Sequence, residues 1–243
     1  MAERLRIALF ISGAGTTARE ILKACYSGVL ENVDPACVIA SKAGIQGIKR
    51  ITDEGMMQKD VCIVDPKKYK GDQEGFGNVI LNECRERGVQ FVGLYGWLPM
   101  IPVNVIEEYP GMMVNQHPGP LDPGRPDFGG KGMFGIRVHC ARLLFVRATQ
   151  RDYWTEAVSQ RVGVGFDEGE VLRRRRIDIK STDDPHSLQL RLFKEEYIVQ
   201  IDTLRDFASG SPGRHDLTVP LVRDGEEDIL RKSKEVACQL YPS

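Results

Sequence analysis

The residues of this chain best suited to chemistry are an asparagine and a histidine at the end of a short apolar run. Residues 111–114 are apolar, Asn115 and His117 follow them, and Pro118 ends the segment. Residues i and i+2 of an extended segment project to the same side, so these two side chains are expected to point together. An amide donor beside a titratable imidazole suits a reaction in which a carbonyl becomes an oxyanion and a proton moves. Taken alone, the pattern also describes a strand end with a proline stop.

A second candidate site is a glycine-containing turn near the N-terminus. Ser12 is followed by Gly13, Ala14, Gly15, Thr16 and Thr17. Glycines let backbone N–H groups approach an anion, and the N-terminus of the following helix carries about half a positive charge. The turn lacks the Gly-Lys-Ser/Thr of a P-loop and the third glycine of the dinucleotide fingerprint, so an ordinary tight turn is the alternative. Thr16 or Thr17 is expected to cap the helix.

Strands and helices alternate over the first half of the chain. Short apolar runs predict strands at 6–11, 36–40, 60–64, 91–95 and 112–115, and the segments between them predict helices at 18–25, 47–56, 76–87 and 102–108. This alternation predicts an α/β fold with a doubly wound, mainly parallel sheet. Ligands of such sheets bind beyond the carboxyl ends of the strands. The glycine turn, residues 96–100 and residues 115–117 all lie there.

The second half of the chain follows a different pattern. It predicts a Pro- and Gly-rich loop at 120–132, a helix at 135–145, strands of an antiparallel extension at 158–162 and 171–179, and helices at 184–204 and 224–240. We expect a catalytic domain over residues 1–210 and a C-terminal extension with a helix over 211–243. The pattern assigns no role to the long segment 119–157. The basic run 173–176 is either a solvated face or an anion contact.

Composition limits the classes of function. The chain has 243 residues, a formal net charge of −1 and 42% hydrophobic residues, as in an ordinary globular protein with no nucleic-acid partner. No apolar stretch approaches the ~20 residues that cross a membrane, and the N-terminus lacks the pattern of a signal peptide. The 6 cysteines and 4 histidines are dispersed. They predict reduced thiols, no metal site and a cytoplasmic location.

Three segments of the chain resemble the signatures of the folate-dependent formyltransferases. Asn115-Gln116-His117-Pro118 resembles their Asn-x-His-Pro signature, residues 166–172 resemble their second signature, and residues 11–17 resemble their phosphate loop. In the second signature an Asp, here Asp167, is followed closely by a Gly and an apolar strand. The segments occur in the order of the family over roughly residues 5–205. The resemblance implies a Rossmann-like formyltransferase fold, with the length and layout of members that act on glycinamide ribonucleotide.

The resemblance implies a catalytic trio of Asn115, His117 and Asp167. The implied reaction transfers a formyl group from the co-substrate 10-formyltetrahydrofolate to the primary amine of glycinamide ribonucleotide in purine biosynthesis. Asn115 and protonated His117 would stabilise the oxyanion of the tetrahedral intermediate. Asp167 would keep His117 charged and oriented. Without the resemblance, Asp167 would be interpreted as a turn residue before Gly169.

The resemblance also implies where the two substrates bind. The turn formed by Gly13, Ala14, Gly15, Thr16 and Thr17 would hold the acceptor phosphate, and Glu195 would contact its ribose. The pterin ring would lie beside Leu98, Pro99, Met100 and Ile101, because apolar walls with backbone polar groups suit a flat heteroaromatic ring. The alternative interpretation of residues 98–101 is an apolar strand-to-helix connection. The alternative interpretation of Glu195 is a charged residue on an exposed helix face.

Several positions depart from the pattern of the family. Gln160 and Glu196 stand where the family commonly has His, residues 119–121 replace Ser-Leu-Leu, and Thr16-Thr17 replaces Ser-Asn. These changes leave the trio intact but leave the acceptor open. The alternatives are an N-formyltransferase for an amino sugar nucleotide and a non-catalytic nucleotide-binding module. We expect small-molecule substrates, no nucleic acid or membrane partner, and a monomer or homodimer.

Overall fold

The computed structural model describes residues 4–242, which contain seven strands and seven α-helices. The strands are β1 (Leu5–Ile11), β2 (Val33–Ala40), β3 (Val61–Ile63), β4 (Phe91–Leu94), β5 (Met113–His117), β6 (Trp154–Arg161) and β7 (Val171–Asp178). The helices are α1 (Thr16–Tyr26), α2 (Gln46–Asp53), α3 (Gln73–Glu86), α4 (Val103–Glu108), α5 (Ile136–Thr149), α6 (Pro185–Ala208) and α7 (Glu227–Leu240). Among these residues, no helix is long and apolar enough to cross a membrane.

The described residues form two compact units. One comprises the residues up to Gln116 together with Gln200–Pro212, and the other comprises His117–Val199 and the residues from Gly213 onward. The chain therefore passes from one unit to the other three times, within β5, within α6 and after Pro212. The separation of a catalytic domain over 1–210 from an extension over 211–243 stays a prediction.

The first unit is built around parallel strands. β1 pairs with β2 and β4, β2 pairs with β3, and β4 pairs with β5, each in parallel. The residues of β1 from Ile7 to Ile11 are fully buried, as expected for a central parallel strand with neighbours on both edges. The strand order changes direction between β1 and β4, which places the topological switch point there. The predicted α/β class with a doubly wound, mainly parallel sheet is confirmed.

The start of α1 differs from the prediction. The predicted cap at Thr16 or Thr17 is wrong, because Thr16 already lies in the helix and the N-cap residue is Gly15. Gly15 adopts the left-handed conformation with φ 64°, and a Cβ atom there would lie 2.7 Å from Cα of Gly47. The sharp turn and the close approach to α2 both require glycine at position 15. These two constraints, and not a side-chain cap, determine the residue at the start of α1.

Other predicted elements are present with shifted ends, and each shift has a local cause. Helix α3 begins at Gln73 because the carboxylate of Asp72 accepts a hydrogen bond from the backbone N–H of Gly75 at 2.8 Å. Strand β6 begins at Trp154, four residues before the predicted start, because Trp154 pairs with Asp178 of β7. Cross-strand pairing can thus extend a strand beyond the run of apolar residues that predicts it.

The second unit combines an antiparallel strand pair with helices α5 and α7. β6 and β7 are antiparallel, which confirms the predicted antiparallel extension. α5 and α7 bury a common core that includes Phe128 and Met133 of the long loop together with Phe145, Leu230 and Ala237. The rings of Phe128 and Phe145 meet edge to face with centroids 5.4 Å apart. The Pro- and Gly-rich loop is therefore packed against the C-terminal helix by its own apolar side chains.

Candidate active site

The Asn-x-His segment forms the end of β5. Asn115 is half-buried and lies opposite Leu94 in the register of β4 with β5. His117 is the last residue of the strand and is 2% exposed. Because side chains alternate along a strand, Asn115 and His117 project to the same side of β5. Pro118 cannot donate a ladder hydrogen bond, which accounts for the end of the strand at His117.

Asp167 lies beside His117 in the second unit. The Nδ1 atom of His117 and the Oδ2 atom of Asp167 are 3.6 Å apart, and the side chain of Asp167 is 10% exposed. This distance exceeds that of a good hydrogen bond, but it falls within the range of an ion pair. The structure thus brings together two predicted site residues from separate elements.

The carboxylate of Asp167 is held in a fixed orientation. Its Oδ1 atom accepts a hydrogen bond from Nε2 of Gln160 at 2.7 Å, and its Oδ2 atom accepts one from the backbone N–H of Gly130 at 3.0 Å. Asp167 itself has φ 57°, a left-handed conformation that is uncommon for a residue with a side chain. Such a backbone persists where the surroundings over-determine it. The two donors therefore fix which oxygen faces His117.

Gln160 takes part in the site although the sequence marked it only as a departure from the family pattern. Its side chain is 1% exposed and donates to Asp167. A neutral amide has a donor to offer the carboxylate at any pH, whereas an imidazole would add a second titratable group. Glutamine at this position therefore supplies Asp167 with a hydrogen bond and adds no titratable group beside it.

Two further charged residues near this pair were not predicted. The carboxylate of Asp127 accepts from the backbone N–H groups of Gly129 at 2.6 Å and Asp122 at 3.0 Å, and Lys234 donates to carbonyl oxygens of the same turn. Burial raises the pKa of Asp127, and these hydrogen bonds and the charges of His117 and Lys234 oppose the increase. An Asp two residues before a Gly is a turn signal that sequence reasoning could have used. Nothing in the sequence pointed to Lys234.

His139 of α5 is a histidine near His117 that was not predicted as a site residue. It is fully buried, and neither ring nitrogen has a hydrogen-bond partner within residues 4–242. Burial lowers the pKa of His139 to about 3, and the charge of His117 contributes to the decrease. His139 is therefore neutral at physiological pH.

The predicted phosphate turn lies in the first unit. The Ser12 hydroxyl accepts a hydrogen bond from the backbone N–H of Leu98 at 3.0 Å, which ties the turn to the connection after β4. No side chain caps α1, so the backbone N–H groups of its first turn are available to an anion. Arg50 adds a cation to this turn, since its Nη1 atom donates to the carbonyl of Ala14 at 2.8 Å. Sequence reasoning did not predict this residue.

The predicted pterin segment borders a cavity of about 440 Å³ in the first unit. Leu98, Pro99 and Met100 line it, and Leu98 and Met100 are 54% and 41% exposed. Ile101 is buried and is not among the lining residues. The remaining lining residues combine polar, cationic and apolar groups, namely Ser12, Ser41, Lys42, Asp65, Pro66, Lys67, Gln73 and Phe76.

The predicted ribose contact already has a partner in the structure. The carboxylate of Glu195 on α6 accepts a hydrogen bond from Nε of Arg175 on β7. The side chain of Glu195 is largely buried and that of Arg175 is half-exposed. A substrate hydroxyl would have to share Glu195 with this arginine.

The basic run 173–176 is largely engaged in ion pairs of the second unit. Arg174 and Arg176 flank the fully buried carboxylate of Glu156, with N–O distances of 2.6 and 3.1 Å. The guanidinium of Arg176 also lies 3.8 Å from the ring centroid of Trp154. Because side chains alternate along β7, Arg175 projects to the other side and reaches Glu195. These arginines therefore neutralise carboxylates of the protein itself, an outcome that neither interpretation of the run included.

No group of three or more His, Cys, Asp or Glu side chains in the part of the chain that the structure describes could hold a metal ion. The carboxylates of Asp127 and Asp167 near His117 instead accept hydrogen bonds from backbone N–H groups and from the amide of Gln160.

Comparison with known proteins places the chain in a family. Residues 5–139 match the formyl transferase family. A chloroplastic phosphoribosylglycinamide formyltransferase of Arabidopsis thaliana is 28% identical over 202 residues, which cover 83% of this chain and 64% of the relative. The trifunctional purine biosynthetic protein adenosine-3 of Drosophila melanogaster is 25% identical over 80% of this chain and 13% of the relative. The chain thus spans less than two thirds of the length of these relatives.

Solved structures show the same fold. The phosphoribosylglycinamide formyltransferase of Bacillus halodurans aligns with a TM-score of 0.70 at 25% identity, covering 84% of this chain and 95% of that one. Glycinamide ribonucleotide transformylase 1 of Symbiobacterium toebii aligns with a TM-score of 0.73 at 24% identity, covering 86% and 90%. With the family match over more than half of its length, the chain belongs to the formyl transferase family.

Proposed function

We propose that this protein transfers the formyl group of 10-formyltetrahydrofolate to the primary amine of glycinamide ribonucleotide. The pairing of His117 with Asp167 at the end of β5, two residues after Asn115, carries the proposal. Membership of the formyl transferase family and the names of the Arabidopsis thaliana and Bacillus halodurans relatives support the choice of acceptor. An asparagine, a histidine and an aspartate can together stabilise the oxyanion and move the proton that this reaction requires.

In the proposed reaction the acceptor amine attacks the formyl carbon, and the carbonyl electron pair moves to oxygen. The Asn115 amide and the Nε2–H of protonated His117 stabilise this oxyanion. Nδ1 of His117 faces Asp167, so Nε2 is the nitrogen that remains for the substrate. The 3.6 Å separation fits this role, because catalytic hydrogen bonds often tighten only when substrate binds.

The tetrahedral intermediate then collapses, and the bond between the formyl carbon and N10 of the folate breaks. The oxygen lone pair restores the carbonyl, and N10 leaves with the bond electrons and takes up a proton. The attacking nitrogen loses a proton, which Asp167 accepts through water and returns through water to N10. Gln160 and Gly130 hold the Asp167 carboxylate during these steps, so its orientation does not depend on the substrate.

Features of the first unit support the proposed substrate positions. The uncapped start of α1 and the guanidinium of Arg50 suit the phosphate of the acceptor. In the cavity beside residues 98–100, Leu98, Met100 and Phe76 offer apolar surface, and Lys42 and Lys67 offer cations to the carboxylates of a folate. The protein is proposed to use 10-formyltetrahydrofolate as a co-substrate, to require no metal and to act as a monomer or homodimer.

The proposed location is the cytoplasm. The Arabidopsis thaliana relative is named as chloroplastic, so the location of related proteins differs from this proposal. Fractionation of cells that express the full protein, followed by immunoblotting, decides between cytoplasm and organelle.

The function is tested by a formyl-transfer assay on the purified protein. Release of tetrahydrofolate is followed by absorbance, with glycinamide ribonucleotide, a panel of amino sugar nucleotides, or water alone as acceptor. The panel includes amino sugars because Gln160 and residues 119–121 depart from the family pattern. We expect product with glycinamide ribonucleotide and little with the others.

Three other outcomes of the assay would contradict the proposal. Turnover confined to an amino sugar nucleotide would identify an amino sugar N-formyltransferase, and turnover with water alone would identify a hydrolase. Binding of folate and phosphorylated amine without turnover, measured by calorimetry, would identify a binding module. A His117→Ala variant serves as the control for background hydrolysis of the folate.

A further inference from the structure

We propose that Lys234 of α7 is a positioning residue for Asp167 and acts through the peptide bond between Gly129 and Gly130. The inference rests on the proposed function, in which Asp167 orients His117. Nζ of Lys234 donates to the carbonyl oxygen of Gly129 at 2.6 Å, and the N–H of Gly130 donates to Oδ2 of Asp167 at 3.0 Å. A single peptide group therefore contacts both side chains.

This peptide group is suited to transmit position because it is rigid. It is planar and trans, so its C=O and N–H point in opposite directions. An ammonium group that fixes the oxygen therefore also fixes the direction of the N–H. The charge-assisted bond on the oxygen polarises the peptide and strengthens the N–H as a donor. The oxygen of Asp167 that receives this hydrogen bond is the one 3.6 Å from Nδ1 of His117.

The turn around this peptide has little freedom to adjust. A Cβ atom on Gly129 would lie 2.7 Å from Cβ of Asp167 and 2.7 Å from Cδ2 of Leu121, so the backbone packs directly against the stem of Asp167. The Asp127 carboxylate closes the turn by accepting the N–H of Gly129, and Lys234 also donates to the carbonyl of Asp127 at 3.2 Å. Displacement of this turn would therefore displace Asp167.

Lys234 approaches the turn from a helix that is itself fixed. On α7, Leu230 and Ala237 are buried in the core that they share with Phe128 of the same loop. Near its end, the carbonyl of Tyr241 accepts a hydrogen bond from Nε of Arg137 at 2.7 Å. Burial lowers the pKa of Lys234, and the carboxylates of Asp127 and Asp167 oppose the decrease. A half-buried ammonium with two carbonyl partners is thus aimed at this one turn.

The test compares Lys234→Met, which keeps an apolar stem without the charge, with Lys234→Arg, which keeps charge and donors. Lys232→Met is the matched control, because Lys232 is exposed on the same helix. We expect Lys234→Met to lower kcat by about 10- to 100-fold, the cost of a misplaced catalytic group, with both KM values nearly unchanged. Lys234→Arg should recover most of the activity, and Lys232→Met should match the wild type.

A second measurement does not depend on activity. In glycine-labelled protein without substrates, the amide proton of Gly130 is assigned by NMR and compared among the variants. Loss of Lys234 should move this resonance upfield, in the same direction as Asp167→Asn, whereas Lys232→Met should not move it. Thermal unfolding of each variant shows whether the fold is retained.

The two measurements separate the inference from the proposed function. If the wild type transfers no formyl group but the Gly130 resonance responds to Lys234→Met, the proposed function fails and the contact stands. If Lys234→Met keeps the kcat and Gly130 resonance of the control, the inference is wrong. A Lys234→Met loss that Lys234→Arg does not recover, with KM and melting temperature changed in parallel, would also overturn it by showing a structural role.

Discussion

His117 is the residue on which the proposed chemistry depends. It is buried, ends β5, and has one ring nitrogen facing Asp167. Its other ring nitrogen has no hydrogen-bond partner in the described part of the chain. This arrangement leaves Nε2 for the substrate oxygen, which is the role of a donor in an oxyanion hole.

We predict that His117→Ala lowers the turnover number by about 10²- to 10⁴-fold, the usual effect of losing an acid–base or oxyanion group. Affinity for folate and acceptor should change far less, because the imidazole is proposed to stabilise the oxyanion that forms during the reaction and the proposed binding contacts of both ligands lie elsewhere. Steady-state kinetics and calorimetric titration measure the two effects. The exposed His215→Ala is the control, and near-normal turnover of His117→Ala would show that His117 is structural.

His139 predicts a pH dependence of stability. Its pKa is lowered from 6.5 to about 3 in the folded protein, chiefly by burial. As pH falls below 6.5, the unfolded chain binds a proton at this position and the folded protein does not. The folded state therefore loses stability as pH falls through this window, by up to about 1.4 kcal/mol per pH unit from this group.

We predict that His139→Leu removes this part of the pH dependence. The free energy of unfolding is measured by urea titration between pH 4.5 and 7 for the wild type and the variant. The wild type should lose stability more steeply toward low pH, and the exposed His186→Leu should follow the wild type. Parallel curves for the wild type and His139→Leu would contradict the assignment.

At the scale of elements, the two glycines in the turn between β1 and α1 differ in how much space surrounds them. A Cβ atom on Gly13 would meet no atom within 4 Å, whereas one on Gly15 would approach the Gly47 backbone at 2.7 Å with φ +64°. A substitution at Gly15 would thus strain the fold. A substitution at Gly13 places a side chain in the open space before the N-terminus of α1, where the acceptor phosphate is proposed to bind.

We predict that Gly13→Val weakens binding of glycinamide ribonucleotide by about 10-fold or more, the equivalent of one lost hydrogen bond to a charged group. Binding of a folate analogue should be nearly unchanged, because Ser12 is the residue that this turn contributes to the proposed folate cavity and Gly13 does not line it. Calorimetric titration with each ligand measures both affinities. Gly163→Val is the control, since its site is also open. Equal losses for both ligands would favour a general defect, and no loss for the acceptor would remove the phosphate assignment.

At the scale of the whole molecule, most of the cysteines are part of the core. All six are free thiols, and Cys37, Cys62, Cys84 and Cys140 are buried. Burial raises the pKa of Cys25 and Cys62 to about 12. Since the thiolate is the reactive form, only about one in 10⁴ of such thiols is ionised at pH 8.

We predict that Cys25 and Cys62 react with a maleimide far more slowly in the native protein than in urea. Mass spectrometry of the labelled peptides at several reaction times measures each rate separately. The same cysteines in the denatured chain provide the reference rate. Native rates equal to those of an unfolded thiol would show that these sites open readily and that burial does not protect them.

The sequence by itself determined the elements and the class of the fold. Buried strands such as β1 are short apolar runs, and the alternation of these runs with helices gives a parallel sheet, because both signals are local in the chain. The Asn-x-His segment and the turn at residues 12–17 could be located for the same reason. Their position at strand ends follows from the order of elements.

Only the tertiary structure decided which side chains meet. Asp167 is held by Gln160 from β6 and Gly130 from the long loop, and Lys234 reaches that loop from the last helix. The engagement of Glu195 by Arg175 is likewise a contact between separate elements. The sequence signals are local, whereas these contacts join segments that are distant along the chain and whose proximity depends on packing. The local pattern therefore predicted where the site lies, and the packing of the second unit decided what surrounds its acid and base.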